Sequence, residues 1–148
     1  MNTRTLTILK PDCIRKGVIG DVISRIMNAH FEIMAMKMVK MDEKMAGEFY
    51  AIHKDKPFYD ELIEFMTSGR CIPMVLQKEN CIEDFRTLIG NFNPEKANYG
   101  TIRYMYGASP TKNIVHGSDS IETAKREISF FFTEKNLKEA GCCPGELN

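Results

Sequence analysis

The order in which strand-type and helix-type apolar patterns follow one another constrains the fold of this chain most strongly. Residues 5–9 alternate β-branched and apolar side chains, and Pro11 follows, which cannot donate a hydrogen bond to a sheet. We therefore predict a first strand that ends at Lys10. The next apolar residues recur at helical spacing and predict an amphipathic helix. They are Ile19, Val22, Ile23, Ile26 and Met27.

Two further strands are predicted in the middle of the chain. Residues 31–39 have a strand pattern, and three methionines share one face, where we interpret them as core packing. These are Met34, Met36 and Met38. Residues 71–76 are apolar and form a run short enough for a buried strand, in which Pro73 indicates an edge, an end or a bulge.

Three helices are predicted around this third strand. Asp42 is the expected N-cap of the first, Gly69 ends the second and Gly90 lies just past the third. Their buried faces are formed by Met45, Phe49 and Ile52 in the first, by Phe58, Leu62, Phe65 and Met66 in the second, and by Ile82, Phe85, Leu88 and Ile89 in the third.

The last third of the chain begins with a segment, residues 91–113, that has no sustained period. A structureless connection of this length inside a compact domain is either functional or disordered. Ile114 and Val115 predict a short final strand, and Asp119 with Glu122 forms a capping-box pattern for a last helix. Its inward residues are Ile121, Ala124, Ile128 and Phe131.

The element order predicts the fold class. With the two helices at residues 43–68 treated as an insertion, the order is strand, helix, strand, strand, helix, strand, which is the ferredoxin-like βαββαβ arrangement. We therefore predict an α/β (α+β) sandwich in which helices cover one face of a four-stranded antiparallel sheet. A chain of 148 residues can bury a core of its own, so residues 1–148 are expected to form a single domain.

Charge and cysteine usage limit the function. The 20 basic and 20 acidic residues cancel, which argues against a general nucleic-acid or membrane-surface binder but leaves room for a cationic cleft. No apolar run has the length of a signal peptide core or a membrane span, and we predict a cytoplasmic protein. The five cysteines show no CxxC or metal-ligand spacing, so we interpret them as reduced and mostly structural. For the adjacent Cys142 and Cys143 a redox role stays open, although two thiols in a polar tail are more typical of a tail without function.

His116 is the most informative single residue, because it lies where a strand ends and a helix is about to begin. A structural interpretation has its ring satisfied by a backbone carbonyl, and a functional one makes it a nucleophile with one nitrogen held by an acceptor. Glu127, near the buried edge of the last helix, is the candidate acceptor. The structural interpretation predicts an exposed Glu127 and the functional one a paired carboxylate.

Other candidates lie at the ends of predicted elements. They are Lys10, Arg86, Arg103 and Asn113. Each alone fits an ordinary surface residue, but three positive charges together with a nucleophilic histidine suit the neutralisation of a polyphosphate. The sequence has no Walker A motif, no GxGxxG and no kinase HRD or DFG triplet, so any phosphate chemistry must use another scaffold.

The chain resembles the nucleoside diphosphate kinases over nearly its whole length, up to about Thr133. The matching stretches are TLTILKPD (5–12), RKGVIGDVISRI (15–26), FYAIHKDKPFYDELIEFMTSG (49–69), DFRTLIG (84–90), NP (93–94), GTIR (100–103) and NIVHGSDS (113–120). The resemblance implies a ping-pong enzyme in which His116 takes the γ-phosphoryl group of a nucleoside triphosphate, typically ATP, and passes it to a different nucleoside diphosphate.

The resemblance also implies roles for single residues. Lys10 and Asn113 would contact the sugar hydroxyl and the terminal phosphate, and Arg86 and Arg103 would clamp the phosphates. Tyr50 would lie beside the histidine, Phe58 would stack on the base, and Glu127 with Ser118 would orient the imidazole. Mg²⁺ would arrive with the nucleotide phosphates, without a metal site of the protein's own. The family assembles into homo-oligomers, hexamers or tetramers built from a common dimer.

Two departures from the family pattern leave an alternative open. Phe92 stands where the family usually has a threonine whose hydroxyl helps to hold a phosphate, and the lost hydrogen bond is worth on the order of 1 to 3 kcal/mol. Tyr104 and Met105 replace a small residue and an aspartate in a loop that often supports subunit contacts. That alternative is a nucleotide-binding or regulatory protein of the same fold with impaired turnover. A third hypothesis, outside the family, is a ferredoxin-like interaction module in which His116 is structural.

Overall fold

All the predicted strands and helices occur, and short helices lie between some of them. The computed structural model describes residues 2–142. In chain order the elements are β1 Asn2–Leu9, α1 Pro11–Arg15, α2 Ile19–Asn28, β2 Glu32–Met36, α3 Glu43–Phe49, α4 Tyr59–Thr67, β3 Ile72–Glu79, α5 Cys81–Ile89, α6 Ile102–Tyr106, β4 Val115–Gly117, α7 Ile121–Phe131 and α8 Glu134–Glu139. Single 3-10 turns occupy Ala51–His53 and Pro94–Lys96.

The four strands form one antiparallel sheet in the order β2-β3-β1-β4, which confirms the predicted ferredoxin-like arrangement. β1 pairs with β3 along its whole length and with the short edge strand β4, where Ile8 lies opposite His116. Pro73 is the second residue of β3, so the missing N–H falls near the beginning of a central strand. Of the three alternatives for Pro73, a strand end is therefore the correct one.

Helices cover both faces of the sheet, which corrects the prediction of one covered face. Neighbouring residues of a strand point to opposite faces. Leu6 and Ile8 accordingly belong to one core with α3, α4 and α7, whereas Leu9 belongs to a second core with α2 and α5. The inserted pair α3–α4 and the C-terminal α7 supply the second layer, because a sheet face left bare would expose the apolar residues of β1 and β3.

The interpretation of the methionine face as core packing is wrong for two of its three members. Met36 is 54% exposed and Met38 is 48% exposed, whereas Met34 packs against the core. β2 is the edge strand of the sheet, its pairing with β3 shifts between Ile33 and Ala35, and it ends at Met36. The regular alternation that the methionine pattern requires is therefore interrupted inside the strand.

The segment predicted to lack structure contains the 3-10 turn and α6, so that prediction is wrong in part. Thr101 caps α6 by accepting a hydrogen bond from Tyr104 N. α6 has only five residues, which is too short for an amphipathic period to show in the sequence.

The ends of the other helices differ from the predictions in four ways. α4 begins at Tyr59, so Phe58 precedes the helix and is exposed, and it is not part of the buried face. α3 ends at Phe49, so Ile52 lies in a 3-10 turn and is exposed. Ser120 caps α7, with its Oγ 3.1 Å from Thr123 N, in place of the predicted Asp119. As a result Ile121 begins the helix on its exposed side and not in the core.

The cysteines described by the structure are buried thiols. Cys13, Cys71, Cys81 and Cys142 are free, and Cys143 lies outside the described residues. Burial raises the pKa of the Cys71 thiol to about 11, so it is protonated at neutral pH. Among residues 2–142, no helix is long and apolar enough to cross a bilayer.

Candidate active site

A tight turn carries the chain into β4. Val115 N donates to Asn113 O at 2.9 Å, which closes a γ-turn around Ile114. Ile114 has a φ of +77°, a conformation that is unfavourable for a β-branched residue. The turn shifts the last strand by one residue relative to the prediction, so that His116 lies inside β4 and not after it.

Helix α7 supplies the carboxylate that holds the ring of His116. Glu127 Oε1 lies 2.8 Å from His116 Nε2 and accepts a hydrogen bond from Ser118 Oγ at 2.7 Å. Glu127 is 4% exposed and Ser118 is 1% exposed, and Leu6 N donates to Ser118 Oγ. Because a carboxylate only accepts hydrogen bonds, we assign the ring proton to Nε2, which leaves the lone pair on Nδ1. Glu127 is buried and paired, whereas the structural interpretation of His116 predicts it exposed.

Lys10 is buried at the end of β1, behind the histidine strand. Its Nζ donates to Asn113 Oδ1 at 2.8 Å and to Thr111 O at 3.3 Å. Burial lowers the pKa of Lys10 to about 7, and the nearby Arg103 charge adds to this effect, whereas Asp12 opposes it. The hydrogen bonds to these acceptors offset part of the desolvation free energy of the charged Lys10 side chain, and a bound phosphate would offset more of it.

Two arginines contribute positive charge from α5 and α6. Arg103 is 9% exposed and donates to Gly90 O at 2.9 Å and to Val115 O at 2.7 Å. Burial lowers the pKa of Arg103 to about 10, with a smaller contribution from Arg86, and the guanidinium remains charged at neutral pH. Arg86 is exposed on α5. One arginine is thus fixed by backbone carbonyls and the other is free to meet a ligand.

Aromatic rings surround the histidine on the side of α3. Tyr50 packs edge-on to His116, with ring centroids 6.5 Å apart. Burial raises the pKa of the Tyr50 phenol above its usual range, and its hydroxyl has no hydrogen-bond partner among the described residues. Phe58 is 43% exposed and lies against His53, with centroids 5.5 Å apart. The two predicted aromatic residues are therefore separated by His53.

These elements enclose a cleft of about 640 Å³. The predicted site residues that line it are Tyr50, Arg86, Phe92, Arg103, His116 and Glu127. The other four predicted residues are not among its lining residues: Lys10, Ser118 and Asn113 are buried, and Phe58 packs against His53, which does line the cleft. The structure thus brings both predicted arginines, His116 and Glu127 together at the cleft surface, whereas the predicted lysine is not part of that surface.

The cleft also contains residues that the sequence reasoning missed. Lys96 and Arg126 add two cations, and Asp119 adds a carboxylate. Arg126 precedes Glu127 on α7 and its Nη2 lies 3.8 Å from Glu127 Oε2, so the position of Glu127 was the signal that could have identified it. Lys96 lies in a segment without periodicity, where no sequence pattern distinguishes it from any exposed lysine. Phe92 is 64% exposed, and its backbone oxygen accepts from Asn113 Nδ2 at 2.7 Å.

The arrangement can hold an anion and present a nucleophile to it. The His116 ring, whose Nε2 is held by Glu127, lines a cleft that contains Arg86, Lys96, Arg103 and Arg126. Positive charge around a reacting phosphoryl group stabilises the charge on its equatorial oxygens. Together with the α+β fold, this cleft defines a phosphoryl-transfer enzyme.

Comparisons with known proteins agree with this class. The family model for nucleoside diphosphate kinase matches residues 3–137. A nucleoside diphosphate kinase of Chloroherpeton thalassium is 58% identical over 130 residues, which are 88% of this chain and 92% of that protein. One of Salinibacter ruber is 52% identical over 134 residues, which are 90% of this chain and 94% of that protein.

Solved structures show the same relationship. The nucleoside diphosphate kinase of Aquifex aeolicus superposes with a TM-score of 0.89 at 40% identity, covering 92% of this chain and 99% of that chain. That of Halobacterium salinarum, solved in complex with CDP, has a TM-score of 0.88 at 36% identity and covers 92% of this chain and 91% of that chain. The chain belongs to the nucleoside diphosphate kinase family, and it is a phosphotransferase that acts on nucleoside phosphates. The predicted resemblance is confirmed.

Proposed function

We propose that the chain transfers the γ-phosphoryl group of a nucleoside triphosphate to a nucleoside diphosphate by a ping-pong mechanism through His116. The contact between His116 Nε2 and Glu127 Oε1, 2.8 Å long and buried, is the observation that supports this most directly. It fixes the ring and leaves Nδ1 available at the cleft. A histidine that served only the fold would not need a buried carboxylate to orient it.

The reaction would proceed in two half-reactions. His116 Nδ1 attacks the γ-phosphorus, the bond to the bridging oxygen breaks, and the diphosphate leaves with the electron pair. A second nucleoside diphosphate then attacks the phosphohistidine and restores the neutral ring. Arg86 and Arg103 would neutralise charge on the transferring group, and Tyr50 would restrict the ring from the other side.

The remaining roles concern substrate binding. Lys10 and Asn113, joined to each other at 2.8 Å, would contact the sugar hydroxyl and the terminal phosphate. The half-exposed ring of Phe58 would stack on the base, and a stacking contact of this kind accepts purines and pyrimidines alike. Phe92 would border the phosphates without donating a hydrogen bond, since its side chain has no donor. Ser118 would act through Glu127.

A kinase of this family requires a divalent cation, and we propose that it is Mg²⁺ bound to the nucleotide phosphates. Among residues 2–142 there is no group of three or more His, Cys, Asp or Glu side chains placed to hold a metal ion. Mg²⁺ that is bound to nucleotide phosphates brings most of its ligands with the substrate and needs few from the protein. Asp119, the exposed carboxylate in the cleft, is the residue of this chain that would contact it. The cation would supply additional positive charge to the phosphates.

We also propose that the chain forms a homo-oligomer built from dimers, a hexamer or a tetramer, in the cytoplasm. Exposed apolar side chains at the end of the edge strand, just beyond it and on the α6 segment support assembly; they are Met36, Met38, Tyr99, Tyr104 and Met105. Mass measurement of the native particle would give the subunit number. The free, buried thiols suit a reducing compartment.

A two-step labelling experiment tests the proposed function. The protein is incubated with γ-labelled ATP and Mg²⁺ without an acceptor, and an unlabelled diphosphate of another base is added afterwards. We expect label on histidine in the first step and its prompt release as the new triphosphate in the second. Absence of label would contradict the role of His116, and label that loads but leaves slowly would favour the impaired-turnover alternative.

A further inference from the structure

Asp12 lies outside the cleft, but both of its carboxylate oxygens accept hydrogen bonds from the backbone. It is the second residue of α1 and is 6% exposed. Its Oδ1 accepts from Cys13 N at 3.1 Å, and its Oδ2 accepts from Ile114 N at 3.1 Å. A buried carboxylate is unfavourable unless its hydrogen bonds compensate for the loss of water. The bond from Ile114 N reaches outside α1, and it connects this helix with the residue that directly precedes β4.

Ile114 is the residue whose backbone most needs to be held. Its φ of +77° lies in the left-handed region, where a β-branched side chain is strained. Its N–H is bound by Asp12, and its carbonyl accepts from Lys10 N at 2.8 Å. Both polar groups of this peptide segment are therefore fixed by the segment between β1 and α1. A charge-assisted hydrogen bond is comparable in strength to the strain it opposes.

The γ-turn around Ile114 connects two residues of the site. Asn113 precedes it and meets Lys10, and His116 follows it by two residues. If Ile114 relaxed to an ordinary negative φ, the direction of the chain entering β4 would change, and the His116 ring would move relative to Glu127. Displacements of about 1 Å at a reacting atom can lower a rate by roughly 100-fold.

We infer that Asp12 is a positioning residue for phosphoryl transfer: its hydrogen bond to Ile114 N holds the strained turn that sets the place of the His116 nucleophile. The inference rests on the proposed role of His116 and extends it. Asp12 touches neither the cleft nor the reacting atoms, so its effect is exerted through the backbone.

Asp12 also carries a charge, whose influence must be separated from that of the hydrogen bond. Burial raises the pKa of Asp12, while the bond from Ile114 N and the charge of Lys10 oppose this. In return, the Asp12 charge raises the pKa of Lys10. Loss of the charge would weaken nucleotide binding through Lys10, whereas loss of the bond would slow the attack by His116.

Two conservative variants separate these effects. Asp12→Asn loses the charge and keeps one of the two oxygen acceptors, so it can accept from Ile114 N only by giving up the bond from Cys13 N. Asp12→Glu keeps the charge and moves the acceptors by one methylene. The rate of phosphohistidine formation is measured at saturating ATP and Mg²⁺, together with KM, and folding is checked by circular dichroism. Asp60, an exposed acid in the first turn of α4, provides the matched controls Asp60→Asn and Asp60→Glu.

We expect Asp12→Asn to keep the saturated rate within about threefold of the original protein and to raise KM. Asp12→Glu is expected to lower the saturated rate by at least about tenfold with little change in KM. A slow Asn variant, or a Glu variant as fast as the original, would overturn the inference. If Asp12→Glu does not fold, Asp12→Ala, which has no acceptor for Ile114 N, takes its place, and a rate equal to that of the original protein would overturn the inference. Failure of the original protein to acquire label would instead refute the proposed function.

Discussion

The two sides of the cleft are built differently. On the histidine side, His116, Ser118 and Glu127 are joined by short hydrogen bonds and anchored to β1 through Leu6. The loop side consists of residues from the segment between α5 and α6, most of them exposed. It comprises Asn91, Phe92, Lys96, Asn98 and Thr101.

This difference separates two tasks. In the proposed mechanism the histidine side would fix the position of the reacting nitrogen, and a substitution there disturbs several buried partners at once. The loop side would contact the substrate from solvent, where a lost contact would weaken binding without moving the nucleophile. Phe92, the departure from the family pattern, lies on the loop side, which explains how the site can accommodate it.

The largest effect is expected from removing the nucleophile. His116→Ala should lower phosphotransfer by at least about 10,000-fold, because it removes the proposed nucleophile, the cleft histidine that is paired with the buried Glu127. Steady-state assays with ATP and a second diphosphate measure the loss, and thermal unfolding checks the fold. His30→Asn, an exposed histidine with positive φ outside the cleft, is the control. Retained turnover in His116→Ala would contradict the proposed mechanism.

The next largest effect concerns the orientation of the ring. Glu127→Ala should slow phosphohistidine formation by about 100-fold, since His116 Nε2 and Ser118 Oγ both lose their acceptor. Single-turnover labelling at saturating ATP measures it. Glu122→Ala, on the exposed side of the same helix, should match the original protein. Equal rates in both variants would show that the buried carboxylate has no part in the reaction.

A smaller effect is expected from the charge of Lys10. With a pKa of about 7 in the free protein, Lys10 loses its proton as pH rises through 7, and nucleotide affinity should fall with it. Lys10→Met should weaken binding by about tenfold below pH 7 and should remove this pH dependence. Calorimetric titration with a nucleoside diphosphate at several pH values gives both quantities. A pH dependence unchanged in the variant would assign it to another group.

The lowered pKa of Lys10 also predicts how the free energy of unfolding depends on pH. Lys10 has a pKa of about 7 in the folded chain and 10.5 as an unperturbed side chain, so the unfolded chain binds more protons between these values. The contribution of Lys10 to the free energy of unfolding should therefore increase as pH rises from 7 towards 10.5. Denaturant unfolding of the original protein and of Lys10→Met should show this difference in slope.

The smallest effect is expected on the loop side. Phe92→Thr should raise kcat/KM by about fivefold, the lower end for a restored hydrogen bond, because the position is exposed to water. Tyr99→Thr, at a more exposed aromatic position outside the cleft, should leave kcat/KM unchanged. A gain as large as the loss in Glu127→Ala would show that the two sides of the cleft are not functionally distinct.

The element order and the family were predictable, because apolar periodicity and local motifs such as the one around His116 are encoded in neighbouring residues. The exposure of Met36 was not, because alternation alone does not reveal whether a strand lies at the centre or the edge of a sheet. The N-cap of α7 was also not predictable. It is Ser120 and not the predicted Asp119, because β4 is shifted by one residue and the beginning of α7 moves with it.

The contacts of the candidate site were less predictable than its residues. The bond between Lys10 and Asn113 joins positions 103 residues apart, and no local pattern reports it. Lys96 has no signal in the sequence because its place in the cleft depends on how an aperiodic segment folds over α5. Conversely, Glu127 was identifiable, since it lies near the buried edge of a strongly periodic helix.

The pairing of β1 with β4 has a consequence for biosynthesis. β1 is translated long before β4, and the contacts that join the two regions span as many as 112 residues. On the ribosome, β1 can pair with β3 as soon as β3 emerges, while the edge that will receive His116 stays open. A nascent chain therefore gains most of its sheet before it gains any capacity for catalysis, and premature termination before β4 would release a partly folded but inactive protein.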